Sequence, residues 1–178
     1  MNSSDQTPNK RLFLALWPDE DVVRKINQHA IKYFSDCQGR ILEKNNWHIT
    51  LAYFGVSDAN TQLCLEQQAE KIKAEPFELS LSLCGFWKKP AVAWLAPAII
   101  PNELCQLALD VQQTLIPCGY KPEMRDYKPH VTLVRKAKQS PSLNEIQPIT
   151  WSVNKFCLVE SKTFPEGARY TVLKTWEF

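Results

Sequence analysis

The sequence predicts an α+β fold in which two lobes of antiparallel sheet, flanked by helices and related by a pseudo-twofold axis, enclose a cleft. Segments with strand and helix patterns follow one another as strand, helix, strand, helix and strands, and then as helix, strand and strands. This order indicates a rough internal duplication, and the tetrad from His48 to Leu51 returns as His130 to Leu133 in the second half. The strand-rich, partly alternating pattern favours antiparallel sheets over a doubly wound parallel sheet.

The first half of the chain contains four predicted elements. The run after Lys10 is apolar enough for a buried strand. Proline followed by acidic residues suits the first turn of a helix, where carboxylates face the positive end of the helix dipole. Asp58 is a good N-cap because its carboxylate accepts backbone N–H groups. These signals predict a strand at 11–17, a helix at 18–36, a strand at 47–54 that Gly55 ends, and a helix from Asp58 to about Lys73.

The second half is richer in strands. Residues 77–83 alternate strictly between apolar and polar side chains, which is typical of a half-exposed strand. Apolar residues recur at helical spacing after Pro101, and Gly119 ends that pattern. We therefore predict strands at 77–83 and 91–95, a helix from Pro101 to Gly119, a loop at 120–129, the second His-Thr strand, a loop at 139–148, and strands at 149–160 and 168–176.

Composition predicts a globular protein. Hydrophobic residues make up 44% of the chain and charged residues 22%, and no apolar run approaches the roughly 20 residues that span a bilayer. The formal net charge of +2 is too small for wrapping duplex DNA, so any recognition of anions should be local. Residues 1–9 are polar, and we expect a frayed tail without a secretory signal there, followed by a single bilobal domain over 10–178.

The six cysteines are scattered along the chain without a Cys-x-x-Cys pair. Together with the polar start of the chain, this spacing favours a reduced, cytoplasmic protein with free thiols, although an even count allows disulfides. Neither histidine motif has a second His, Cys or carboxylate at ligand spacing, so we expect no metal site and no cofactor.

The repeated tetrad places two of the three histidines in the same local sequence, followed by an aliphatic residue, a threonine and a leucine. Side chains alternate along a strand, so His48 and Thr50 share one face, as do His130 and Thr132. Histidine titrates closest to neutral pH, and a pair held across one cleft supplies both the base and the acid of a displacement. A lone histidine on such a strand is more often a packed, hydrogen-bonded residue. His29 lies in a helical pattern without a following threonine, and we assign it to a solvated or partly buried helix face. The repetition favours a catalytic pair.

The tetrads resemble the paired His-x-Thr-aliphatic motifs of the two-histidine phosphoesterases. Three longer blocks are similar to the bacterial RNA 2′,3′-cyclic phosphodiesterase branch of that superfamily, historically called 2′-5′ RNA ligase or LigT-like: Arg11 to Leu16, Asn46 to Gly55, and Lys128 to Arg135. The similarity covers nearly all of residues 10–176. It implies two lobes of antiparallel sheet with helices around a central cleft, which agrees with the predicted order of elements.

The resemblance also implies an enzyme that opens a 2′,3′-cyclic phosphate at an RNA 3′ end without a metal, usually leaving a 2′-phosphate. In that pattern His48 is the general acid that protonates the departing 3′ oxygen, and His130 is the general base that activates water. Thr50 and Thr132 hold the non-bridging phosphate oxygens. The chemistry agrees, because in-line displacement removes one proton and delivers another on opposite sides of phosphorus.

Two further side chains follow the tetrads. On a regular strand Arg135 would point away from His130, yet the family pattern directs an arginine at the phosphate. We therefore predict that the strand ends or bulges near Val134, and otherwise Arg135 is a surface charge. Tyr53 is expected either to stack on a terminal base or to pack in the core. Three tryptophans are assigned to packing: Trp47, Trp87 and Trp94.

The expected partners are RNA 3′ ends or small cyclic nucleotides, with no duplex DNA and no membrane, and the expected state is a monomer. Two alternatives stay open. One is the reverse reaction, which joins 2′-phosphate and 5′-hydroxyl RNA ends as a 2′-5′ linkage with the same residues. The other is a non-catalytic module that clamps an RNA end or a nucleotide. Analysis of products separates the first alternative, and unimpaired binding without turnover identifies the second.

Overall fold

The computed structural model describes residues 9–178, so the predicted tail at 1–9 lies outside the described residues apart from Asn9. The helices are α1 (Glu20–His29), α2 (Ile31–Phe34), α3 (Ala59–Ala69) and α4 (Asn102–Thr114). The strands are β1 (Lys10–Leu16), β2 (Arg40–Ile41), β3 (Ile49–Ser57), β4 (Phe77–Trp87), β5 (Val92–Pro97), β6 (Val131–Arg135), β7 (Glu145–Val153), β8 (Lys155–Phe164) and β9 (Gly167–Glu177). None of these helices has the length and apolar character needed to cross a membrane.

The nine strands form one antiparallel sheet in the order β7-β4-β5-β6-β3-β1-β8-β9, with β2 paired to β6. The sheet consists of two halves. One half contains β7, β4, β5 and β6, and the other contains β3, β1, β8 and β9. Within residues 9–178, a single β3–β6 pair joins them, Ile49 opposite Val131. The predicted α+β class, with antiparallel sheet in two lobes and flanking helices, is confirmed.

The two faces of the sheet carry different side chains. On one face, Leu12, Leu14 and Leu16 of β1 meet apolar residues of α1, α3 and α4 in the main core. Burying each such leucine contributes about 1.5–3 kcal/mol. The other face of β1 carries Phe13 and Ala15, which form a small second cluster with residues of β8. We call this second face, which carries the histidine motifs, the cleft face.

The helix predicted at 18–36 is interrupted. The predicted acidic start is confirmed, because the Asp19 carboxylate caps α1 by accepting the Val22 N–H at 2.9 Å. At Ala30, however, φ is −106° and the regular helix stops, and the chain continues as the short α2 and a 3₁₀ turn. Residues beyond the break, such as Phe34, still pack into the core. Their apolar spacing therefore continues across a break that periodicity alone does not reveal.

The strand predicted at 149–160 is two strands. β7 begins at Glu145, inside the predicted loop at 139–148, and β8 begins at Lys155 after a tight turn at Asn154. Pro148 is compatible with β7 because β7 is an edge strand, where a missing N–H costs no ladder hydrogen bond. Apolar residues on both sides of Asn154 concealed the reversal of the chain.

A disulfide joins Cys64 of α3 to Cys118 in the turn after α4, with the two Cα atoms 5.7 Å apart. The expectation of free thiols throughout is therefore wrong for this pair. The two cysteines are 54 residues apart in sequence, and the packing of α3 against α4 and that turn brings them together. Spacing in the sequence carries no signal of that contact. The remaining cysteines are free: Cys37, Cys84, Cys105 and Cys157.

Candidate active site

Both motif histidines are half-buried at the junction of the two halves of the sheet. Each ring is anchored by Nδ1. The Nδ1–H of His48 donates to the Asn46 carbonyl at 2.7 Å, and the Nδ1–H of His130 donates to the Lys128 carbonyl at 2.8 Å. A carbonyl oxygen only accepts, so Nδ1 carries the proton in each ring and Nε2 is the atom left to exchange protons.

The threonine of each motif lies beside the histidines, as alternation predicted. Thr50 Oγ1 is 3.2 Å from His48 Nε2, and its hydroxyl donates to that nitrogen when the ring is neutral. Thr132 occupies the equivalent position after His130 and is also half-buried. The antiparallel pair that joins the halves sets the register, so that His48 lies level with Thr132 and His130 with Thr50. The two motifs are thus brought together at one place.

The strands of the two motifs separate just beyond this pair. Beside it, the Thr50 carbonyl accepts the hydroxyl of Tyr127 at 3.1 Å. Tyr127 comes from the segment that leads into the second motif, so this bond ties that segment to the first motif. Sequence reasoning missed Tyr127, because a tyrosine in a predicted loop carries no local signal of such a contact.

Each motif strand contains a β-bulge directly after its threonine. Leu51 has no partner in the register of β3 with β1, and Leu133 has none in the register of β6 with β5. A bulge reverses the alternation of side chains. As a result, Tyr53 and Arg135, which both follow their threonine by three residues, return to the cleft face. Tyr53 lies directly opposite Phe13, which confirms its face.

These bulges determine on which face of the sheet the side chains of Arg135 and Tyr53 lie. The predicted bulge near Val134 is present in β6, and it turns Arg135 to the same face as His130. The Arg135 side chain is exposed on the cleft face. The alternative of core packing for Tyr53 is wrong, because 53% of that residue is exposed.

Burial dominates the electrostatics of the histidines. It lowers the pKa of His48 to about 4, the hydrogen bond at Nδ1 acts in the opposite direction, and the charges of His130 and Arg135 lower the pKa further. Burial also lowers the pKa of His130, again against the Nδ1 hydrogen bond and together with Arg135 and Arg125. Both rings are therefore neutral near pH 7 in the free protein, and Arg135 is close enough to act on both.

Aromatic rings enclose His48. Trp17 stacks on it almost in parallel, with ring centroids 5.4 Å apart and 6° between the planes. Phe13 and Tyr170 contact the same imidazole at centroid distances of 4.9 and 5.1 Å. These rings exclude water and hold the imidazole plane, which accounts for the burial that lowers its pKa. Sequence reasoning missed all three rings. Phe13 and Trp17 fall on the same side of the predicted strand 11–17 as the polar Arg11, and this was the available signal for those two.

A second aromatic wall stands beside His130. Trp87 meets the His130 ring edge-on at 4.5 Å, and Trp94 lies 5.1 Å from Trp87 and opposite Thr132. Trp87 and Trp94 thus pack against each other, as assigned, and they do so on the cleft face beside His130. For Trp47, which is 1% exposed, the assignment is confirmed.

The arrangement suits acid–base chemistry on an anion. Two imidazoles, each with Nε2 left to exchange protons, lie at one junction, together with two hydroxyls and one guanidinium, which are donors suited to phosphoryl oxygens. Among residues 9–178, no three His, Cys, Asp or Glu side chains form a group that would hold a metal ion.

Fold and site together define a two-histidine phosphoesterase. A family model described as the 2′-5′ RNA ligase superfamily matches residues 18–163, and the chain belongs to this superfamily. It is 30% identical over 169 residues to the RNA 2′,3′-cyclic phosphodiesterase of Escherichia coli strain K12, a match that covers 94% of this chain and 96% of that protein.

A protein of the same name from Archaeoglobus fulgidus is 27% identical over 178 residues, covering 94% of this chain and 99% of its own length. Among solved structures, E. coli LigT complexed with 3′-AMP superposes with a TM-score of 0.83 at 30% identity, covering 95% of this chain and 98% of that chain. The resemblance seen in the histidine motifs is thus confirmed over nearly the whole chain.

Proposed function

We propose that this protein hydrolyses 2′,3′-cyclic phosphates at RNA 3′ ends to 2′-phosphates by general acid–base catalysis with two histidines. One observation carries the proposal: two matched imidazoles at one junction of the sheet, each anchored by Nδ1 and each left with Nε2 as the nitrogen that exchanges protons. Relatives named RNA 2′,3′-cyclic phosphodiesterase support the substrate. The complex of E. coli LigT with 3′-AMP supports a nucleotide ligand.

In the proposed step, a water oxygen bonds to phosphorus while the bond from phosphorus to O3′ breaks. His130 Nε2 takes the proton of the attacking water as the general base. His48 Nε2–H gives its proton to the departing O3′ as the general acid. Attack and departure are in line, so the two rings act from opposite sides of phosphorus, and each transfer contributes about 10²–10⁴-fold.

The hydroxyls and the guanidinium stabilise the charge that develops on phosphorus. We assign Thr50 and Thr132 to the two non-bridging oxygens, since both stand beside the rings in matching positions. Arg135 faces the same side because of its bulge, and its fork of donors suits bidentate contact with an anion. Tyr53, exposed on that side, is assigned to stacking on the terminal base.

The general acid must be protonated, although His48 is neutral near pH 7 in the free protein. The substrate resolves this conflict. A bound phosphodiester anion beside the ring favours the imidazolium cation, and so acts against the burial and the smaller Arg135 effect that lower the pKa of His48. The pKa of His48 therefore rises when substrate binds, and the ring takes up the proton that it later donates. Substrate affinity is then higher at lower pH, where that uptake is easier.

We further propose that residues 10–178 act as one domain in a cytoplasmic monomer. One chain supplies both histidines, both threonines and Arg135, so the site needs no second copy.

The test uses an oligoribonucleotide that ends in a 2′,3′-cyclic phosphate, incubated with purified protein in excess EDTA. Products are resolved into 2′- and 3′-phosphates, and His48→Ala and His130→Ala are compared with wild type. We expect the 2′-phosphate from wild type and a loss of at least a hundredfold in each variant. Absence of turnover by folded wild type from pH 5 to 9 would contradict the proposal and favour the binding module, and joined ends would indicate ligation.

A further inference from the structure

A groove of about 510 Å³ lies beside the aromatic wall of His48. Trp17 and Tyr170, which both contact the His48 ring, also line this groove and so separate it from the site. Its other walls are Pro18, one side of α1, Val172 of β9, and three residues before the first motif: Lys44, Asn45 and Trp47. We call it the α1 groove. Its volume is within the range of about 300–1,000 Å³ that small-molecule sites occupy.

The side chains of the α1 groove match the chemistry of single-stranded RNA. Proteins hold such RNA by stacking bases on aromatic rings, by reading base edges with amides and by pairing phosphates with cations. The groove offers each of these groups. In addition to the two rings, its lining contains two cations, three amides and one carboxylate: Arg24, Lys44, Asn27, Gln28, Asn45 and Glu20.

The reaction determines on which side the RNA chain leaves the site, and here the inference rests on the proposed function. The departing O3′ belongs to the ribose, so the ribose lies on the side of the general acid. The attacking water lies on the opposite side of phosphorus. With His48 as the acid, the terminal nucleoside and the RNA chain that precedes it lie on the His48 side, next to the α1 groove.

We propose that the α1 groove binds the nucleotide that precedes the cyclic phosphate in the RNA chain. The natural substrate is then an oligonucleotide end, and a cyclic mononucleotide leaves the groove empty. Lys44 pairs with the phosphate between the last two nucleotides, and the amides of α1 contact the preceding base. Arg24 is partly engaged already, since it pairs with Asp21 and donates to Gln28.

Trp17 connects the groove to the chemistry. His48 stacks on Trp17 but does not line the groove, so the surface of Trp17 that borders the groove is not the one that His48 covers. A base bound there contacts the ring that holds the imidazole plane of the general acid. Occupation of the groove therefore affects kcat as well as KM.

The test compares two substrates that share the same terminal nucleotide, a 2′,3′-cyclic mononucleotide and a trinucleotide with that cyclic end. The readout is the ratio of their kcat/KM values. We expect wild type to prefer the trinucleotide, and Lys44→Ala combined with Asn27→Ala to lower that preference about tenfold. Lys44→Ala alone reduces the salt slope for the trinucleotide by about 0.7, the value for one phosphate contact in a single strand. Lys71→Ala is the matched control, because it removes an equal charge from an exposed site after α3.

Equal kcat/KM values for the two substrates in wild type would overturn the inference. So would an equal loss of the preference for the trinucleotide in Lys44→Ala and Lys71→Ala. Turnover of neither substrate refutes the proposed function instead. In that case fluorescence anisotropy with labelled 3′-phosphorylated mono- and trinucleotides tests whether the α1 groove binds the preceding nucleotide. Tighter trinucleotide binding that is lost in Lys44→Ala supports it, and length-independent binding overturns it.

Discussion

Ile49 of β3 faces Val131 of β6 in the β3–β6 pair that joins the two halves of the sheet within residues 9–178. Each partner directly follows a motif histidine in the sequence. The single antiparallel pair therefore places the two His-Thr motifs around one point in opposite directions, which is the arrangement that the proposed in-line step requires of two imidazoles. Both residues are fully buried, so the junction is held by packing as well as by the backbone.

Replacing Arg135 is expected to shift the pH dependence of catalysis. The Arg135 charge lowers the pKa of both histidines, so Arg135→Met raises both, and the bell-shaped profile of kcat/KM moves to higher pH. Loss of a charged hydrogen bond also lowers kcat/KM about 10–100-fold. Arg135→Lys keeps the charge, so it is expected to lose activity with a smaller shift of the pH profile than Arg135→Met. An unmoved profile in Arg135→Met would place the guanidinium outside the site.

Protonation of His48 is expected to weaken the fold at acid pH. Its pKa is about 4 in the folded protein and 6.5 as the reference value. The unfolded chain binds more protons between these values, so the stabilisation is complete above pH 6.5 and is lost as pH falls through 4. The loss is of order 3 kcal/mol. In urea unfolding from pH 7.5 to 4, His48→Gln is expected to lose less stability than wild type, whereas parallel curves would refute the burial of the ring.

Gly85→Ala is expected to displace Trp94. A Cβ at Gly85 would overlap Trp94 Cζ2, so the indole must move, and with it the Trp87 ring that contacts His130. Overpacking of this kind costs about 1–3 kcal/mol. Urea unfolding, near-ultraviolet circular dichroism and kcat are measured together. Ser80→Ala, at an exposed position of the same strand, is the control, and a Gly85 variant indistinguishable from it would contradict the close approach.

Reduction of the disulfide between Cys64 and Cys118 is expected to lower the free energy of unfolding by about 2–4 kcal/mol, because the bond closes a long loop in the unfolded chain. The bond lies among the helices, away from the cleft face, so kcat is expected to stay unchanged below the melting transition. Cys64→Ser with Cys118→Ser is compared with Cys105→Ser, which removes an exposed free thiol. Equal urea midpoints in the two variants would contradict the prediction.

Alternation along a strand was sufficient to predict that His48 shares a face with Thr50, and His130 with Thr132. Simple alternation gives the wrong face for Tyr53 and Arg135, which each follow their threonine by three residues. The reason is that the bulges at Leu51 and Leu133 leave two successive buried residues on each strand. A bulge depends on the register with the neighbouring strand. The chain alone shows only that one is needed if Arg135 is to face the phosphate.

Contacts between distant segments were beyond prediction. Tyr170 approaches His48 because β9 pairs with β8 and β8 with β1, and each pairing sets a register that local sequence does not specify. The α1 groove depends on the same pairings, together with the position of α1. The break at Ala30 was hidden for a related reason, since the core accepts apolar side chains from a helix and from the turn that follows it.

The assignment of His48 as acid and His130 as base is tested most directly by replacing the bridging 3′ oxygen of the cyclic phosphate with sulfur. A thiolate departs without a proton, so this substrate needs a base but no acid. Measured as single-turnover rates, His48→Ala is expected to recover most of its lost activity on the sulfur substrate, while His130→Ala stays inactive on both. Recovery by His130→Ala in place of His48→Ala, or by neither variant, would contradict the division of labour between the two histidines.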